Sequence, residues 1–229
     1  MQSGETDFYT AWRAAPPAVR RSLALAYEAL TAGGLAVGAV LADPAGAVLS
    51  EGRNEAYEDG PGPGAGSAPG PGAGPGPLRG TPLAHAEMNA LGAARTAWDL
   101  GAAVLWSTQE PCGMCAAAAR FTGVGEVRYL APDPWALAGG SPEATASRAC
   151  GGVWLPAANV MFLRSVAVAA TGPAEPRILT RHRAAEPETA ALHDLVPAGL
   201  PTAPSVEAWL EPLWPHLARA AAARAGRTG

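Results

Sequence analysis

Two short motifs in the middle of the chain have to meet in the folded protein, and this requirement constrains the fold more than any other feature. The segment PLAHAEMNAL places His85 and Glu87 at the start of a predicted helix, and PCGMC places Cys112 and Cys115 at the start of the next. Cysteines three residues apart lie on one face of a first helical turn, so both sulfurs can reach the same ion. One imidazole and two thiolates are a typical zinc-binding set.

Three protein ligands leave the fourth tetrahedral position of zinc open for water. An open position is typical of catalytic zinc, whereas structural zinc has four protein ligands. Glu87 is two residues beyond His85, so it lies near the metal without being a ligand. A carboxylate at that place can take a proton from water activated by the metal, and it can then deliver protons to a ring nitrogen and to a leaving amine.

Other uses of a C-x-x-C pair are redox chemistry and structural zinc. A structural site needs a fourth ligand, and the remaining Cys and His residues have no tight spacing to the pair; they are Cys150, His182, His193 and His216. The joint occurrence of H-x-E and P-C-x-x-C, in this order and at helix starts, favours a catalytic zinc.

Strands and helices alternate through the first part of the chain, which indicates the α/β fold class. An amphipathic pattern over 17–32 predicts a helix that ends at the Gly33-Gly34 pair. Two short apolar runs joined by Asp43 and Pro44 predict a hairpin. The hairpin strands are 35–43 and 46–54; they are followed by a helix over 84–98, a strand over 102–108, a helix over 112–122 and a strand over 126–130.

The segment 60–77 contains only Gly, Pro, Ala and Ser. This composition buries too little apolar surface to order itself, so it predicts a flexible insertion. Residues that carry chemistry lie on both sides of it, so we expect a single domain over 1–229 rather than two domains joined by a linker. The extension over about 140–229 is predicted to contain a strand over 160–170 and helices over 187–195 and 205–225.

The charge balance argues against a surface built to bind a nucleic acid backbone. The 16 basic residues are all arginine, and 20 acidic residues give a net charge of −4. No basic region followed by an apolar run opens the sequence, and the uncharged apolar runs are shorter than the roughly 18 to 20 residues that span a bilayer. An odd number of cysteines with a C-x-x-C pair suits a reducing compartment. We therefore expect a cytoplasmic protein without a membrane partner.

The two motifs resemble those of the zinc-dependent cytidine and deoxycytidylate deaminase superfamily. The resemblance covers roughly 36–132 and rests on GAVLAD, the strand end at Asn54, AHAEMNAL and STQEPCGMC. It implies a three-layer α-β-α sandwich of the cytidine deaminase type with a mixed central sheet. It also implies that Zn²⁺ is held by His85, Cys112 and Cys115, with Glu87 as the proton shuttle.

The same resemblance implies substrate contacts at Asn54, which matches an asparagine that contacts the base in related enzymes, and at Ala86. Asn54 has an alternative interpretation, because asparagine commonly ends a strand in a turn. The resemblance further implies a homodimer and a small-molecule nucleobase or nucleoside as partner.

Within the superfamily, the segments AHAEMNAL and LWSTQEPCGMC look more like the guanine deaminase and tRNA adenosine deaminase branch. We therefore expect hydrolytic deamination of a nucleobase or nucleoside with release of ammonia, and a guanine-type purine as the lead substrate. A cytosine or cytidine deaminase is the alternative on the same residues. The acidic balance counts against a tRNA adenosine deaminase, and Glu87 counts against a non-catalytic zinc protein.

Overall fold

A five-stranded mixed sheet organises the residues that the computed structural model describes, which are 6–58, 78–133 and 147–228. The strands are β1 (Gly38–Ala42), β2 (Val48–Arg53), β3 (Val104–Gln109), β4 (Glu126–Ala131) and β5 (Ser147–Ala149), in the spatial order β2-β1-β3-β4-β5. β1 runs antiparallel to β2 and β3, whereas β3, β4 and β5 run parallel. The predicted mixed sheet is thereby confirmed.

Helices cover both faces of the sheet. They are α1 (Phe8–Ala14), α2 (Pro17–Thr31), α3 (Ala86–Gly92), α4 (Gly113–Phe121), α5 (Trp154–Ala169), α6 (Arg177–Ala185), α7 (Pro187–Leu195), α8 (Val206–Leu210) and α9 (Trp214–Thr228). One apolar cluster joins the sheet to α2 and α5, and a second joins the opposite face to α3 and α4. The α/β class and the three-layer α-β-α arrangement are therefore confirmed.

Strand β1 lies between the two helical layers, which explains its uninterrupted apolar sequence. All five of its residues are buried. Val40 and Ala42 belong to the cluster under α2, while Ala39 and Leu41 belong to the cluster under α3. Adjacent residues thus face opposite layers, and both faces of the strand have to be apolar.

The strand predicted over 160–170 is wrong, because these residues belong mainly to helix α5. The helix is apolar around most of its circumference, since it is enclosed by the sheet on one side and by the C-terminal helices on the other. A continuous apolar run has neither the period of an amphipathic helix nor that of a half-buried strand. Only the length of the run can then distinguish a helix from a strand. The helix predicted over 84–98 is also shorter than expected, because α3 ends at Gly92.

The C-terminal helices share the apolar cluster of the N-terminal ones. Helix α1, which the sequence pattern did not predict, stacks Phe8 on Trp12 at 5.7 Å between ring centroids. Trp154 of α5 contacts Trp12 at 5.4 Å and Trp214 of α9 at 5.5 Å. The helix predicted over 187–195 is confirmed as α7, and the one over 205–225 is divided into α8, a 3₁₀ turn (Glu211–Leu213) and α9.

The Gly/Pro-rich segment predicted to be a flexible insertion, 60–77, lies outside the described residues. Its described flanks are held together, because Arg79 Nε lies 3.4 Å from Glu58 Oε2 and the amide of Gly80 donates to the carbonyl of Glu55. Among the described residues, no helix has both the length and the hydropathy that crossing a bilayer needs.

Helix α3 lies directly against strand β2 at Gly52. A β-carbon built on Gly52 would lie 2.5 Å from the carbonyl oxygen of Ala86 and 2.6 Å from the amide nitrogen of Ala90. Backbone atoms of a helix cannot yield to such a contact without moving the whole helix. Because Glu87 is in the first turn of α3, the missing side chain at Gly52 also sets the position of Glu87 above the sheet.

We expect Gly52→Ala to lower the free energy of unfolding by about 1 to 3 kcal/mol, which is the usual cost of overpacking. Urea denaturation measures this change. The matched control is Gly226→Ala in α9, where the added β-carbon would meet nothing within 4 Å and should leave stability equal or slightly higher. Equal stabilities for the two variants would contradict the close approach of α3.

Candidate metal and catalytic site

Three potential metal ligands converge beyond the carboxyl end of strand β3. The Sγ atoms of Cys112 and Cys115 lie 3.6 Å apart, and each lies 3.6 Å from Nδ1 of His85. Within the described ranges, these residues form the one group of His, Cys or carboxylate side chains close enough to share an ion. The structure therefore brings together all three predicted ligands.

The triangle of donor atoms has the dimensions of one face of a zinc tetrahedron. Zinc–sulfur bonds of about 2.3 Å and zinc–nitrogen bonds of about 2.05 Å give edges of about 3.8 Å between sulfurs and about 3.6 Å between nitrogen and sulfur. A disulfide would instead need its sulfurs about 2.05 Å apart, and both cysteines are free thiols. The donor set and its spacing fit zinc, with one coordination position not supplied by these residues.

Two helix starts hold the ligands. His85 and Cys112 precede α3 and α4 as their N-cap residues, both with extended backbone, while Cys115 lies in the first turn of α4 and is buried. Helix α4 begins just after β3 ends, so its first turn lies at the carboxyl end of the strand. The positive end of the helix dipole there favours thiolates over thiols.

The two thiols cannot both ionise without a cation. The contact with Cys115, supported by His85, lowers the pKa of Cys112 to about 3. The same contact with Cys112, together with burial, raises the pKa of Cys115. The second thiolate needs a positive charge beside it, which a bound metal ion supplies.

Glu87 is buried beside the ligands and is bonded to the strand below it. Its Oε1 accepts a hydrogen bond of 2.9 Å from the hydroxyl of Ser107 on β3, and both side chains are enclosed. Burial raises the pKa of Glu87, and the bond from Ser107 partly opposes the shift. A carboxyl group whose pKa is raised holds and releases a proton more readily near neutral pH, as a general acid and base must.

Sequence reasoning missed Ser107. The signal that could have found it is the small polar residue that follows Leu105 and Trp106 in β3, at the position that faces α3. Only the register of β3 against β1 shows which residues of β3 face α3. It pairs Ser107 with Ala39 and so places Ser107 under the helix.

Asn54 lies at the end of β2 and is buried. Its amide N–H donates to the carbonyl of Val37, and its Oδ1 accepts 3.2 Å from the N–H of Ala56, as in a turn. The side-chain nitrogen of Asn54 makes no hydrogen bond to the described residues. The turn interpretation is thus correct for the oxygen, while the nitrogen remains available to a ligand.

The side chain of Asn89 fixes the backbone beside Asn54. Asn89 of α3 donates from its side chain to the carbonyl of Arg53 at 3.0 Å and to Oε2 of Glu55 at 3.2 Å, which ties α3 to the end of β2. Sequence reasoning did not single out Asn89. Ala86 is fully buried as the first residue of α3, and its predicted substrate contact stays a prediction.

Comparison with known proteins places the site in a family. The model of the "Cytidine and deoxycytidylate deaminase zinc-binding region" matches residues 16–131, more than half of the 229-residue chain. The match includes both helix starts and Asn54. A search of curated proteins gave no match.

Solved structures of low identity resemble the chain. A structure from a study of A-to-I editing by tRNA:A34 deaminases is 26% identical over 58% of this chain and 95% of its own, with a TM-score of 0.44. A guanine deaminase from Bacillus subtilis is 28% identical over 54% of this chain and 68% of its own, with a TM-score of 0.40. A guanine deaminase from Nitrosomonas europaea is 21% identical over 72% and 95%, with a TM-score of 0.46.

The family assignment rests on the family model, whose zinc-binding region contains the converging ligands His85, Cys112 and Cys115. Zinc is accordingly the cofactor of this site. The chain belongs to the cytidine and deoxycytidylate deaminase family.

Proposed function

We propose that the protein hydrolyses an exocyclic amine of a nucleobase or nucleoside and releases ammonia, with a guanine-type purine as its lead substrate. The observation that carries this proposal is the position of Glu87. It is buried, bonded to Ser107 and adjacent in sequence to a three-donor zinc set that leaves one coordination position free. A structural zinc site needs no buried carboxyl group beside it.

The residues of the chain have distinct roles in this proposal. His85, Cys112 and Cys115 hold zinc, which supplies Lewis acidity and makes water nucleophilic near neutral pH. Glu87 takes one proton from the attacking water and passes it to the ring nitrogen; it then takes the second proton from the same oxygen and passes it to the amine, which departs as ammonia while the oxygen becomes the carbonyl of the product. Ser107 holds the carboxyl group of Glu87 in one orientation, so that the same oxygen atoms serve each transfer.

Asn54 is proposed to bind the ring through its free side-chain nitrogen, with Ala86 at the start of α3 as a second contact. We expect Asn54→Ala to lower kcat/KM by about 10- to 100-fold, because a buried hydrogen bond to the substrate is lost. Steady-state kinetics on the best substrate measures the change.

The variant Asn54→Asp separates the two functions of Asn54. Aspartate keeps an oxygen that can accept from the N–H of Ala56 but lacks the amide donor. We therefore expect an intact turn and a loss of kcat/KM similar to that of Asn54→Ala. If Asn54→Asp had the same kcat/KM as the parent protein, Asn54 would have only a structural role in the turn and no role in substrate binding.

The guanine-type substrate is supported by the resemblance of AHAEMNAL and LWSTQEPCGMC to the guanine deaminase and tRNA adenosine deaminase branch. A net charge of −4 without a lysine disfavours a polynucleotide substrate. The test compares initial rates of ammonia release from guanine, cytosine, cytidine, adenosine and a tRNA anticodon stem-loop. Guanine as the fastest substrate supports the proposal; cytosine, cytidine, adenosine or the stem-loop as the fastest would replace it.

The same proposal includes a cytoplasmic homodimer. The cysteine pattern supports a reducing compartment, since zinc binding requires Cys112 and Cys115 in the reduced state. The family resemblance supports the dimer. Analytical ultracentrifugation at micromolar concentration tests it, and a monomer at all concentrations would exclude it.

A further inference from the structure

Gln109 is a buried polar residue for which the proposed reaction has no use so far. It is the last residue of β3, three positions before Cys112, and only 6% of its surface is exposed. Its side-chain nitrogen is enclosed, and its amide makes no hydrogen bond to the described residues. Burying an amide without a partner is costly, and such a group in a folded protein calls for an explanation.

The alternation of β3 places Gln109 on the side of the sheet that carries the site. Leu105 packs in the cluster under α3 and α4, Trp106 packs in the opposite cluster, and Ser107 bonds to Glu87 of α3. Side chains two residues apart on a strand share a face. Gln109 therefore follows Ser107 on the α3 and α4 face, one repeat closer to the zinc ligands.

The register places Gln109 in one row with Asn54. The pairing of Ala39 with Ser107, continued by one repeat, sets Val37 beside Gln109. On the other side of Val37, its carbonyl accepts from the N–H of Asn54 at 2.9 Å. The backbones of Asn54 and Gln109 are two strand spacings apart, about 10 Å. Their side chains therefore lie on either side of Val37, at a separation that lets them reach opposite edges of a bicyclic base.

The two amides offer different hydrogen bonds. Oδ1 of Asn54 accepts from the N–H of Ala56, so one of its two acceptor positions is occupied, while its side-chain nitrogen has no hydrogen bond to the described residues and can donate. Neither side-chain atom of Gln109 has a hydrogen bond to the described residues, and the nitrogen is also enclosed. A free primary amide presents an acceptor and a donor side by side, which complements a lactam edge with its adjacent N–H and C=O groups.

From this placement we infer that Gln109 is a specificity-determining residue, whose amide binds the lactam edge of the nucleobase. The inference rests on the proposed function. It assigns the preference for a lactam-bearing purine to one side chain, and it accounts for an enclosed side-chain nitrogen that has no hydrogen bond to the described residues. Gln109 takes no part in proton transfer, which remains with Glu87.

The test compares guanine with 2-aminopurine, which carries the same amine but lacks the ring carbonyl. In Gln109→Leu, which keeps the size of the side chain, we expect kcat/KM for guanine to fall about 10- to 100-fold. For 2-aminopurine kcat/KM should change less than about threefold, because its ring has no lactam edge to lose. The Tm should be unchanged or higher, since an apolar side chain replaces an unpaired amide.

A matched control is Asn159→Leu in α5. Asn159 is also a fully buried amide without a hydrogen bond to the described residues, but it lies in the layer on the other side of the sheet. It should leave both kcat/KM values unchanged. Gln109→Met provides a second variant of similar size if Gln109→Leu does not fold.

The outcomes separate this inference from the proposed function. An active parent, with equal losses on both purines or with no loss in Gln109→Leu and Gln109→Met, overturns the inference alone. A lowered Tm together with equal losses would give Gln109 a structural role instead. A zinc-loaded parent that deaminates neither purine overturns the guanine proposal and the inference together.

Discussion

Glu87→Gln should release ammonia at least about 10²- to 10⁴-fold more slowly than the parent protein while it retains its zinc. Glutamine keeps the shape of the side chain and can still accept from the hydroxyl of Ser107, but it cannot carry a proton between water and substrate. Because Glu87 is not one of the converging ligands, metal content should not change. The paired measurements are the initial rate of ammonia release and elemental analysis of zinc.

The matched control is Glu175→Gln, which removes the charge of an exposed glutamate that pairs with Arg183. This variant should keep the parental rate, because a surface ion pair contributes little to stability and lies outside the site. If Glu87→Gln worked at the rate of Glu175→Gln, Glu87 could not be the proton shuttle.

The second large effect concerns the ligands. Cys112→Ala and Cys115→Ala should each reduce zinc from about one equivalent per chain to a small fraction after dialysis against a weak chelator, because two ligands remain of three. Activity should fall with the metal content. Elemental analysis of each variant before and after dialysis gives the answer.

Cys150→Ala is the control for general effects of removing a thiol. Cys150 follows β5, and its Sγ contacts the carbonyl of Arg148 at 3.7 Å rather than the three-ligand group. It should retain zinc and activity. Full zinc occupancy in Cys112→Ala and Cys115→Ala would refute the ligand assignment.

The site was predictable from sequence where chemistry fixes the spacing of residues. Zinc needs Cys112 and Cys115 on one helical turn, and the beginnings of α3 and α4 follow from that need. The Ser107–Glu87 bond and the row shared by Asn54 and Gln109 were not predictable, because both depend on the register of β3 against β1. A shift by one residue would turn both Ser107 and Gln109 to the opposite face.

The fold was predictable in its order of elements and less so where packing overrides local pattern. The sequence predicts a strand over 160–170 where the structure has helix α5, since burial on nearly all sides removes the helical period from the sequence. Strand β5 has three exposed residues at the edge of the sheet and carries no apolar signal. Helix α1 is seven residues long and depends on the stacking of Phe8 and Trp12 against the C-terminal helices.

We propose that the zinc site formed by His85, Cys112 and Cys115 performs the hydrolysis. The most direct measurement adds zinc stepwise to metal-free protein and follows ammonia release from guanine. We expect a rate that rises in proportion to bound zinc and levels off at about one ion per chain. Ammonia release at full rate by the metal-free protein, or none from guanine or the other bases and nucleosides at one zinc per chain, would contradict it.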